Sequence, residues 1–136
     1  MVALALALAA CGGTSHPAPP PPPPTPPPAP SGDLLADERA LWERAKPVLV
    51  KYCADCHTRD GKRAAKKKLD HFSLDSYPPG GHHTKTIGPA VREVLGIGGG
   101  KATMPFDKPG SVTGDDLAAV KAWADAWEAA DNAGLH

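Results

Sequence analysis

The chain has 136 residues, with fifteen basic and fifteen acidic side chains and a formal net charge of zero. That balance offers no electrostatic footprint for nucleic acid, and no stretch approaches the roughly 18 apolar residues that a membrane-spanning helix needs. Every charged side chain lies from Asp33 onward, so the foldable part is about residues 33–136. A domain that small has a marginal core, and with two Phe, two Tyr and three Trp we expect a non-protein group to help fill it.

Residues 1–11, MVALALALAAC, are an apolar run with small residues before a cysteine, like the end of an export signal. The ending Leu8-Ala9-Ala10-Cys11 resembles the lipobox of bacterial lipoproteins. That resemblance implies lipidation of Cys11, export to the periplasmic side and a membrane anchor. Residues 12–32 form a proline-rich linker, eleven of the 17 prolines falling between Pro17 and Pro30. Proline fixes φ and donates no ladder hydrogen bond, so this stretch should be polyproline II. At about 3.1 Å per residue, the part from Pro17 to Pro30 would act as a semi-rigid spacer of roughly 40 Å.

Within the domain, Leu34, Leu41, Ala45, Val48 and Tyr52 keep near-helical spacing. Pro47 should kink that helix or open a second one. A shorter helix is expected over residues 89–95, opened by Gly88-Pro89 and stopped by Gly96. Thr113-Gly114-Asp115-Asp116 reads as a capping box before an amphipathic helix carrying Leu117, Val120, Trp123, Ala124 and Trp127. Loops rich in Gly and Pro separate these elements, and no run alternates like a strand. The expected fold is all-α with long loops.

Cys53-Ala-Asp-Cys56-His57 carries the chemistry. A zinc site would want a second Cys/His pair, and the only other cysteine is Cys11, beyond the linker. A redox dithiol of the thioredoxin kind belongs at a strand-to-helix turn, and no strands are expected. The trailing histidine specifies c-type haem attachment: two thiols on one turn add to two vinyl groups, and the next residue sets an imidazole under the iron. A thioether suits the opposite face of a haem built for electron transfer. Met104, before Pro105 and after three glycines, is presented by a loop rather than a helix face. His71, His82 and His83 are rivals for that position.

With these residues assembled, the chain looks like a class I-type cytochrome c domain of the short bacterial kind. The motifs that carry the resemblance are CxxCH at the end of the first helix, Met104-Pro105 and a last helix with Trp123. The family implies first and last helices that cross and pack on one covalent haem c. It also implies an electron carrier rather than an enzyme, with His57 and Met104 as iron ligands. The alternative is a haem c domain serving as a subunit of an oxidoreductase, or as a sensor with a labile sixth ligand. A dihaem peroxidase would need a second CxxCH, which is absent. Residues 58–86 depart from the family, replacing its short Gly-Pro loop; Ile87-Gly88-Pro89 is the candidate for that element, with Pro89 against His57. Arg59, Lys62, Arg63, Lys66, Lys67 and Lys68 crowd six positive charges into residues 59–68, which read either as a solvated helix or loop or as a docking rim for an acidic redox partner.

Overall fold

The structure is a computed structural model that describes residues 32–136. The signal and lipobox segment and all but the last residue of the proline-rich linker lie outside the described residues. Four helices follow one another in the order α1 (Leu34–His57), α2 (Lys66–His71), α3 (Ile87–Val94) and α4 (Gly114–Asn132), with a 3₁₀ turn at Thr84–Thr86. No strand occurs among the described residues; a single antiparallel bridge pairs Ser73 with Gly80. The all-α expectation holds at this level.

Asp33 opens α1, its carboxylate accepting from the backbone N–H of Leu35 at 3.1 Å and of Ala36 at 3.2 Å. That is the work of an N-cap, which satisfies donors that have no partner within the helix. The helix then runs through Pro47 without a break, so of the two outcomes expected there, a kink or a second helix, the second helix does not form. Proline removes the bond to the Glu43 carbonyl, but both residues are exposed and water can take that place. The opposite face buries Trp42, Ala45, Val48 and Leu49, and this burial keeps the helix whole.

Helix α4 lies across α1 and buries Val120, Trp123, Ala124, Trp127 and Ala130. Trp123 meets Trp42 with ring centroids 5.0 Å apart. Thr113 is the N-cap of α4, but its side chain makes no capping bond. Asp116 does not complete a capping box either, because its carboxylate is turned to α1. It accepts there from Lys51 Nζ at 2.9 Å and Tyr52 Oη at 3.0 Å. The first and last helices are thus joined by a polar clasp as well as by indole rings.

Helix α3 adds Ile87, Val91 and Leu95 to the core. It starts two residues earlier than the Gly-Pro signal suggested and ends at Val94, one residue before the expected end, with Leu95 as its C-cap. Gly96 has φ +71, and a Cβ there would lie 2.7 Å from the Gly100 carbonyl oxygen. The N–H groups of Gly96 and Ile97 return to the carbonyls of Glu93 and Arg92, a Schellman ending that uses otherwise orphaned acceptors. The centre of the molecule is therefore filled by side chains of α1, α3 and α4, including all three tryptophans.

Candidate functional site

Cys53, Cys56 and His57 occupy the last turn of α1. Both thiols are half-buried and unbridged. Burial pushes the Cys53 thiol up to about 11, with the neighbouring Cys56 adding to the effect. Lys68 Nζ approaches Cys56 Sγ at 3.5 Å and donates to the Arg63 carbonyl at 2.7 Å. The turn is pinned from outside as well: the Arg63 N–H reaches the Asp55 carbonyl at 2.8 Å, and the Leu74 N–H reaches that of His57 at 2.7 Å.

His57 Nδ1 lies 2.9 Å from the Phe72 carbonyl oxygen, and the Phe72 ring sits 5.1 Å from the imidazole. A ring that donates from Nδ1 to a carbonyl has its tautomer and orientation fixed, and presents Nε2 as a ligand. Pro89, the expected packing partner of His57, is exposed on α3. The segment after α2 does the buttressing instead. Sequence reasoning missed Phe72, because a carbonyl partner fifteen residues away leaves no local pattern.

Met104 is half-buried against the core. Its loop is held by the Val94 carbonyl, which accepts from the N–H groups of Thr103 at 2.9 Å and Met104 at 3.0 Å. A two-pronged Arg63–Asp107 ion pair joins the loop after His57 to the loop after Met104. The half-buried apolar residues Tyr52, Phe72, Leu74, Val94 and Ile97 flank these elements. A flat apolar group would complete their burial. The donor set suits a covalent haem: two free thiols, one oriented imidazole and one thioether on a tethered loop.

The other two readings of the cysteines find less support. Among the described residues, Cys53, Cys56 and His57 join no cluster of three metal-ligating side chains. The raised Cys53 thiol runs opposite to the depressed value of a reactive dithiol.

His71, His82 and His83, the rivals for the sixth position, meet one another. Their ring centroids stand 4.3–4.5 Å apart. Burial, then the charges of His83 and His82, lower the pKa of His71 below its ordinary value.

Comparison with protein families, curated proteins and solved structures found no match. The functional reading rests on the residues themselves.

The basic run is partly neutralised within the chain. Arg63 pairs with Asp107, Lys66 with Asp70 at 2.6 Å, and Arg59 approaches Asp75 at 4.0 Å. Lys62 and Lys67 form no ion pair among the described residues. Asp75 is drawn below the ordinary carboxylate range by the Arg59 backbone N–H, and Asp107 by its bond to Arg63.

Proposed function

We propose that the chain is a monohaem c-type cytochrome of cytochrome c-like fold that carries single electrons between redox partners while tethered to a bacterial membrane. The observation that carries this reading is the CxxCH turn with its imidazole already oriented by the Phe72 carbonyl. Cys53 and Cys56 would hold the haem through thioethers, His57 would offer Nε2 to the iron, and Met104 would be the second axial ligand. The haem would supply the one-electron iron couple. The chain's own contribution is position and dryness: α1 sets three attachment atoms on one turn, and the half-buried apolar residues keep water from it.

In this reading Cys11 is the lipidated residue, residues 12–32 span from the anchor, and the domain works on the periplasmic side. Among the described residues, no helix is long and apolar enough to cross a membrane. Lys62 and Lys67, with what remains of the basic run, would steer an acidic redox protein in a salt-sensitive way.

The test is expression of the full chain in a host that matures c-type cytochromes, followed by haem staining of the denatured protein and a pyridine haemochrome spectrum. One haem that survives denaturation is expected. Met104→Ala should abolish the sulfur-to-iron charge-transfer band and let the reduced protein bind CO. A denatured chain without haem overturns the proposal.

A further inference from the structure

We propose that His71, His82 and His83 form a binding site for a divalent transition-metal ion of the zinc class, separate from the haem attachment turn. One ligating nitrogen from each of the three rings lies within 4.8 Å of the other two. A tetrahedral zinc ion with Zn–N bonds of about 2.0–2.1 Å wants its nitrogens about 3.3 Å apart. Side-chain rotation supplies that closure, since His71 and His82 are exposed and His83 is half-exposed. Three imidazoles with a fourth position left to water is a known zinc donor set, and imidazole also suits copper and nickel.

The convergence is built by the backbone. His71 ends α2, and the chain returns eleven residues later through the Ser73–Gly80 bridge. The His82 N–H bonds the Asp70 carbonyl at 2.8 Å. Gly81 makes the approach possible: its φ is +101, and a Cβ there would lie 2.5 Å from the His71 carbonyl oxygen. His82 Nδ1 stands 3.0 Å from the same Asp70 carbonyl. Donating there turns Nε2 outward, the buttressed arrangement that ligating histidines adopt. An axial haem position takes one imidazole, whereas a single ion takes all three. The grouping therefore favours an ion of its own over a substitute for Met104.

Calorimetric titration of the purified full chain with zinc chloride tests this, whether or not the chain carries haem. One zinc per chain is expected. Loss of a partner behind a ligand already costs about 10- to 100-fold in metal affinity, so His82→Ala and His83→Ala should each weaken binding at least about tenfold. Circular dichroism should show their helices unchanged, because both side chains lie outside the core. A double variant, Cys53→Ala with Cys56→Ala, should bind zinc as the parent does. Unchanged zinc affinity in the histidine variants overturns the proposal. So does loss of binding in the cysteine variant alone, which would assign the ion to the thiols. A changed haem spectrum in zinc-free His82→Ala or His83→Ala overturns it too, by giving that imidazole to the iron.

Discussion

The two halves of the molecule are held together by different physics. Helices α1, α3 and α4 meet over rings and branched side chains: Trp42, Trp123, Trp127, Leu49, Ile87 and Val120 are all buried. In residues 58–86 only Ser73 and Pro79 are buried, and the segment is shaped by main-chain hydrogen bonds to α1 and within itself. The first half depends on volume and the second on backbone geometry. His57 closes α1 at their seam, and the Phe72 carbonyl accepts from its Nδ1 across to the segment that follows.

Truncation should strike the first half hardest. Trp123 has no exposed surface and touches both Trp42 and Trp127. Trp123→Ala should cost about 3–5 kcal/mol, as large aromatic deletions from cores do, read as a lowered midpoint in denaturant unfolding. If the loss were under about 1 kcal/mol, the crossing would not be the core described above.

A smaller change should disturb the second half. Gly81→Ala combines a left-handed backbone with a Cβ placed against the His71 carbonyl, and should cost about 1–3 kcal/mol. Amide exchange should quicken at Ser73, Gly80 and His82 while α4 keeps its protection. Uniform loosening of both halves would show that they are one cooperative unit.

The smallest effect concerns Glu38, which joins the two. It is buried among the α1 side chains, accepts from the Tyr77 hydroxyl, and lies 2.7 Å from His136 Nε2. Burial raises its pKa above the ordinary 4.5, against the opposing pull of His136 and Arg39. The folded state then holds this proton more tightly than the unfolded chain does. Stability from Glu38 is therefore fully present below 4.5 and falls as pH rises through the raised value. Glu38→Gln should flatten that part of the stability–pH curve, measured by denaturant melts between pH 4 and 7. An identical slope in the variant would remove Glu38 as its cause.

The same contrast explains what could be read in advance. Helix α4 announces itself because Val120, Trp123, Ala124 and Trp127 repeat at helical spacing and are buried as a stripe. Of the α1 positions picked out by spacing, Ala45 and Val48 are buried, whereas Leu34 is exposed and Leu41 and Tyr52 are half-buried. The buried residues are Glu38, Trp42, Ala45, Val48 and Leu49, and a carboxylate among them breaks the apolar pattern. Partners 39 and 98 residues away, Tyr77 and His136, make that burial tolerable. Helix α2 is six residues of mostly charged sequence with no buried face, so it has no period to detect. The CxxCH motif was legible because its chemistry is local to one turn. The meeting of His71 with His82 and His83 was not, because it depends on a bridge and a glycine contact formed only in the fold.

The Arg63–Asp107 pair gives the seam an outside handle. It ties the stretch that follows one prospective iron ligand to the stretch that follows the other, and both side chains are exposed. Ionic strength, or a substitution at position 107, could therefore shift the spacing between imidazole and thioether without altering either. An influence applied at the surface would then register as a change in how firmly the sulfur is held.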